Sequence, residues 1–255
     1  MHAITGFICL FVLITLRYLP VFVLPGFTPL GWAPVLVRTI VLLAMAWMTV
    51  MALPARFVAA EPLHDVGLVV AAIGELLIGM VFGLAVMLPN AAMHTAGWLA
   101  DMQAGLGAAV LFDPAAGASE SMLGRALMLA TTVLFFILGL HVALLRMLLR
   151  SVEVLPPGSV AVHPDGEAFL LMVGSSFASG LMLVAPLALG MFCLDVAVGY
   201  ATRSMPQANI YFLVMPLKIV VALLLLASTL AYMPALIGRL FNHAFEQVGA
   251  IMGAG

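Results

Sequence analysis

GLVVAAIGELLIGMVFGLAVMLP, residues 67–89, carries a single charge, Glu75, in an otherwise unbroken apolar run. A helix needs about 20 mostly apolar residues to cross the ~30 Å hydrocarbon core of a bilayer. Comparable runs lie at 4–24, 36–54, 126–148, 168–194 and 212–238, with Lys218 entering the last one early. In lipid each backbone N–H and C=O must be satisfied within the segment, so such runs form helices. The sequence therefore reads as an all-α integral membrane protein of six hydrophobic helices.

Composition supports that reading. Of 255 residues, 65% are hydrophobic and 8% are charged, against roughly 25% charged in an average soluble domain. So few charges cannot cover a globule of this size, and the surplus apolar surface must meet lipid or another protein. The net charge of −2 gives no basic face, which argues against a nucleic-acid partner. Cys9 and Cys193 both sit inside apolar runs and read as small hydrophobes. No Lys or Arg precedes the apolar stretch from Ala3 to Leu16, and Arg17 interrupts it, so a retained membrane segment is expected rather than a cleaved signal.

The connections differ in character. Pro25, Pro29, Gly31 and Pro34 break the chain after the first segment, and Pro156, Pro157, Gly158 and Pro164 mark a polar loop. Between Ala100 and Arg125, Gly105, Gly107, Gly117, Gly124 and Pro114 exclude an ordinary spanning helix. Basic residues give no orientation. Arg17, Arg38, Arg125, Arg203 and Lys218 fall on one side of a six-span model, Arg56, Arg146, Arg150 and Arg239 on the other. Helices buried by protein instead of crossing lipid in series would leave this pattern. At the C-terminal end Leu240, Phe241, Phe245, Val248, Ile251 and Met252 recur at helical spacing. That pattern predicts an amphipathic tail lying on a partner or on the membrane interface.

Catalytic signatures are missing: no H-x-x-x-H, G-x-S-x-G or phosphate-loop pattern occurs. No catalytic, cofactor or metal residue is assigned. Glu75 is the informative charge, because a carboxylate at membrane depth pairs, protonates or lines water. One reading makes it a proton relay; the preferred one pairs it with an arginine of a neighbouring helix. Gly79 and Gly83, at a spacing of four, permit close helix approach.

Two polar stretches follow. Asp101, Gln103, Gly105, Gly107, Asp113, Pro114 and Arg125 border or interrupt the apolar patch Leu106, Val110, Leu111 and Phe112. Such a segment could fill a pore as a plug or lie on the surface as a loop. Asp195 and Arg203 sit two turns apart, with Gly199 between them, ahead of Pro206, Gln207, Asn209, Pro216 and Lys218. Pro206 ends a helix there, predicting a tight hairpin with a charged bend.

At this cluster the chain resembles the FliR family, the export-gate subunit of type III secretion systems. Asp195, Gly199, Arg203, Pro206-Gln207, Asn209 and Pro216-x-Lys218 match its C-terminal signature, and Glu75 to Gly79 with Gly83 its central one. Ala96-Gly97, Gln103-x-Gly105 and Asp113-Pro114 match its loop region, while Arg17, Pro20 and Leu155-Pro156-x-Gly158 extend the likeness over nearly the whole chain.

The resemblance implies a non-enzymatic subunit without cofactors, at the centre of the flagellar basal body in the bacterial inner membrane. Its implied partners are the P and Q export-gate subunits, the B subunit of the export apparatus, and unfolded export substrates. It further implies one membrane domain, with a P-like part at 1–165 and a Q-like hairpin plus tail at 166–255. Helical hairpins would be raised partly out of the bilayer, with a plug at roughly Gly105 to Ala118. Glu75, Asp101, Gln103, Arg125, Asp195, Arg203 and Lys218 would act in assembly. The competing reading is a stand-alone proton-coupled secondary transporter using Glu75 and Asp195, although the internal repeats common in such proteins are not seen. An intramembrane hydrolase is a more distant alternative.

Overall fold

A computed structural model describes residues 2–23, 29–53, 65–105, 121–158, 166–204 and 210–251. Every element among them is helical: α1 (His2–Phe22), α2 (Val35–Ala52), α3 (Asp65–Ala104), α4 (Met122–Ile137), α5 (Leu140–Val154), α6 (Gly166–Ser204), α7 (Ile210–Leu230) and α8 (Met233–Ile251). Four stretches are long and apolar enough to cross a membrane unbroken: Ile4–Phe22, Val35–Ala52, Gly67–Ala104 and Gly166–Arg203. Counting α4 with α5 and α7 with α8 as bent spans gives up to six among the described residues, which is the hydropathy number.

Two of the six expected spans are thus broken. Gly139 takes φ +70° between α4 and α5, a left-handed conformation that glycine adopts without a Cβ penalty. Ala231 and Tyr232 separate α7 from α8 at a bend of 62°. Two others overrun their expected ends. α3 has 40 residues and α6 has 39, about 60 Å of helix each at 1.5 Å per residue. Each continues through an internal proline, Pro89 in α3 and Pro186 in α6. Residues 100–104, placed by the sequence in the glycine-rich connection between spans, are the last turn of α3. Gly105, at φ +77°, then stops it as a left-handed helix cap.

The chain divides into two compact units. The first comprises Met1–Leu88, Gly139–Gly174 and Phe241–Gly255. Its buried residues include Ile14, Tyr18, Ile78, Phe82, Leu148 and Phe241. Here α1 and α2 are joined by a hydrogen bond of 3.1 Å between the Tyr18 and Thr49 hydroxyls, and Trp47 meets Phe7 and Phe11 edge-on. The second unit comprises Pro89–Leu138 and Ser175–Leu240, with Met93, Leu127, Leu187, Met191, Ala222 and Ile237 buried.

The amphipathic tail forms as the sequence predicts, but its cover differs. Phe241, Ala244, Phe245, Val248 and Ile251 of α8 are buried within this chain, not left for a partner or the membrane interface. Arg239, Asn242, His243 and Glu246 line the exposed face. The apolar stripe is satisfied at home. Met252 lies outside the described residues.

Candidate functional site

Among the described residues three clusters of polar side chains stand out in this apolar chain, and the largest of them is built around Arg17. The arginine enters from α1, fully buried, and meets the equally buried Glu75 of α3. Its Nε donates to Glu75 Oε2 at 2.5 Å and its Nη2 to Oε1 at 3.0 Å. Nη2 also donates to the Leu155 carbonyl at 2.9 Å, and Nη1 to Ser151 Oγ at 3.3 Å. The Gly158 N–H completes the carboxylate with a 3.0 Å bond to Oε1, from a turn in which Gly158 has φ +87°. Two opposite charges with their donors and acceptors this well used offset each other in a medium that would reject either one alone.

The helix crossing beside this pair explains the glycines. A Cβ on Gly79 would stand 2.2 Å from the Arg17 carbonyl oxygen and 2.9 Å from Pro20 Cδ; on Gly83 it would stand 3.3 Å from the Pro20 carbonyl oxygen. Only a bare Cα lets α1 come close enough for Arg17 to reach Glu75. Arg17, Pro20, Glu75, Gly79 and the Leu155–Gly158 turn are far apart in sequence and form one place in the first unit.

In the second unit Asp101 stands near the end of α3, buried. It accepts from Ser121 Oγ at 2.5 Å and from the Leu123 N–H at 3.2 Å. Ser121 in turn caps α4, accepting from the Gly124 N–H at 2.8 Å. A carboxylate at a helix N-terminus is held by free N–H groups and by the helix dipole. Gly97 of α3 packs on Gly124, where a Cβ would meet its Cα at 2.4 Å. The two ends of the intervening segment are thereby fixed together. Leu106, Gly107, Val110, Leu111, Phe112, Asp113 and Pro114 lie outside the described residues. Gln103 is half-buried, and Arg125 is exposed in the first turn of α4.

The third cluster joins α6 to α7. Asp195 forms a salt bridge with Lys218, both partly exposed. Arg203 is exposed in the last turn of α6. The helix ends at Ser204, two residues before Pro206, where a proline should stop it. Pro206, Gln207 and Asn209 lie outside the described residues. Gly199 differs from Gly79 and Gly83, because no described atom comes within 4 Å of a Cβ built on it. The tight α6 contacts are instead at Gly180, against Ala92 of α3, and Gly190, against Leu225 of α7.

The sequence pointed to Glu75, Asp101, Asp195 and Lys218 but not to which residue pairs with which. Arg17 had a readable signal, being a charge inside an apolar run that some acid must neutralise. Ser121 also had one, as a hydroxyl residue directly before an apolar helix. Among the described residues no three His, Cys, Asp or Glu side chains gather as a metal site would require.

Residues 8–244 match the family described as bacterial export proteins, family 1. The flagellar biosynthetic protein FliR of Pectobacterium carotovorum subsp. carotovorum is 30% identical over 195 residues, covering 75% of this chain and 74% of the relative. FliR of Escherichia coli K12 is 29% identical over 182 residues, 71% of this chain and 70% of the relative. The secretion system apparatus protein SsaT of Salmonella typhimurium is 30% identical over 163 residues, 62% of each chain.

Proposed function

The chain belongs to family 1 of the bacterial export proteins and is a core subunit of a type III protein-export apparatus, and we propose that it serves flagellar biosynthesis and builds the export gate itself. It embeds in the inner membrane at the centre of the basal body, assembles with the P and Q gate subunits and contacts the B subunit. Together they form the path for unfolded substrate proteins. It works without a catalytic centre or cofactor. The division into a P-like part, 1–165, and a Q-like hairpin with tail, 166–255, belongs to the same proposal.

The observation that carries assembly is the far end of α6. From Phe192 to Arg203 no residue is buried, and Phe192 and Tyr200 are 64% and 73% exposed. Asp195 and Arg203 share that stretch, and Lys218 faces it. Apolar groups on every side exclude water as the solvent, while three charges make lipid costly. A protein partner satisfies both. The length of α3 and α6, about twice the ~30 Å core of a bilayer, supports helices that continue beyond the lipid into an assembly.

Residues 105–118 are assigned as the plug of the closed gate, supported by the Asp101–Ser121 contact at the base of that segment. Deleting 105–118 from the assembled complex should leave co-purification intact and raise ion conductance in planar bilayers. Background conductance from a complex that still assembles would contradict the plug. A transporter using Glu75 as a proton relay finds no support in a carboxylate held twice by Arg17.

A further inference from the structure

A cleft of about 300 Å³ opens on the first unit, beside the Arg17 cluster. Its walls are Phe82 of α3, Met147 and Val154 of α5, Leu155, and Gly249 of α8. Ser151 also reaches it, but its hydroxyl donates to the Leu148 carbonyl and accepts from Arg17. The remaining polar group of the lining is Arg150, which is exposed. Neither Arg150 nor Arg146, one turn earlier on the same exposed face, forms an ion pair among the described residues. Glu153 and Glu246 are exposed on the same two helices without lining the cleft, and Glu246 lies 3.8 Å from His243.

We propose that this cleft is a phospholipid site, with one acyl chain between Phe82, Met147, Val154 and Gly249 and the lipid phosphate on Arg150. Two features point to that occupant. The walls are apolar but the mouth carries an arginine, whose planar fork of donors suits phosphate oxygens. In addition, α5 is an amphipathic helix with two arginines on one face, the arrangement that holds anionic headgroups at a membrane surface. A phospholipid supplies both parts in one molecule, a chain for the apolar walls and an anion for Arg150, whereas a protein partner would need an apolar side chain and an acid at matching spacing. The cleft holds the acyl chain by close packing and Arg150 holds the phosphate, so retention needs both parts.

The test uses the full chain in a neutral maltoside detergent, titrated with dioleoylphosphatidylglycerol and followed by native mass spectrometry. One retained lipid per chain is expected. Arg150→Gln should weaken retention about fivefold, the equivalent of ~1 kcal/mol for one basic residue at a headgroup. Val154→Trp should remove the adduct by filling the cleft. Retention by Arg150→Gln equal to the parent would overturn the proposal. So would displacement of the lipid by inorganic phosphate at equal concentration, since the acyl chain would then contribute nothing. Arg150 is exposed, so its variant keeps the test decisive if the tryptophan variant does not fold. Co-purification with the P and Q subunits is measured separately, on extracts of cells that express all three, and Arg150→Gln is expected to leave it unchanged. Lipid loss is thereby read separately from any failure of the gate assignment.

Discussion

Gly79 and Arg17 touch through their backbones, and the same arginine's guanidinium is gripped by Glu75 one turn back along α3. Helix spacing and charge neutralisation are therefore one event. The glycine sets how close α1 comes, and that closeness lets a buried arginine reach a buried carboxylate. Breaking either should damage both.

Gly79→Val should force α1 away from α3, because a Cβ at 2.2 Å from a carbonyl oxygen has no flexible neighbour to move. The expected loss is at the upper end of the about 1–3 kcal/mol typical of overpacking, seen as a lower melting temperature in detergent. Gly83→Ala, with 3.3 Å available, should cost clearly less. Equal effects at the two positions would contradict the crossing geometry.

Removing one partner of the buried pair should be worse than removing both. Glu75→Leu and Arg17→Met should each cost about 3–5 kcal/mol by stranding the other charge. The double variant should recover part of that loss in thermal stability and in yield. Strict additivity would mean that the two side chains act independently.

Asp101→Ala and Ser121→Ala both remove the same cap on α4. Each is expected to destabilise by about 1–2 kcal/mol, and the double variant by little more than either one, since they share a network. Thermal unfolding in detergent measures this directly. A full sum from the double variant would separate the two residues.

At Asp195 and Lys218 the effect should fall on assembly more than on folding. A partly exposed pair contributes up to about 1 kcal/mol to the isolated chain. Asp195→Asn should therefore leave its melting temperature nearly unchanged while lowering recovery of the partner subunits. The charge-swapped double variant, Asp195→Lys with Lys218→Asp, should restore part of that recovery. Normal recovery from the single variant would remove Asp195 from the interface.

Much of this was legible in the sequence, for reasons that particular residues make plain. The all-helical membrane class follows from six apolar runs, and Glu75 announces a buried partner by its setting. Identifying Arg17 as that partner required knowing that α1 and α3 cross at Gly79, a contact between distant segments that no local pattern encodes. Helix lengths were misjudged at the ends of two apolar runs: the helices pass through Pro89 and Pro186 as hydropathy expects, then continue into more polar sequence as far as Ala104 and Ser204. Ala231 and Tyr232, in contrast, break a run that hydropathy alone joins. Asp195 was placed two turns from Arg203, but its salt bridge is to Lys218 across the hairpin. The tail's amphipathic period was readable; that its apolar face is covered by the chain itself was not.

The central claim is that this chain's exposed apolar and charged surfaces are built for a multi-subunit gate. Mild detergent extraction from the native membrane, followed by affinity purification through a tag on this chain, tests it most directly. The account predicts a stable complex containing the P and Q export-gate subunits in fixed ratio. Quantitative recovery of the chain alone, folded and without either subunit, would contradict it.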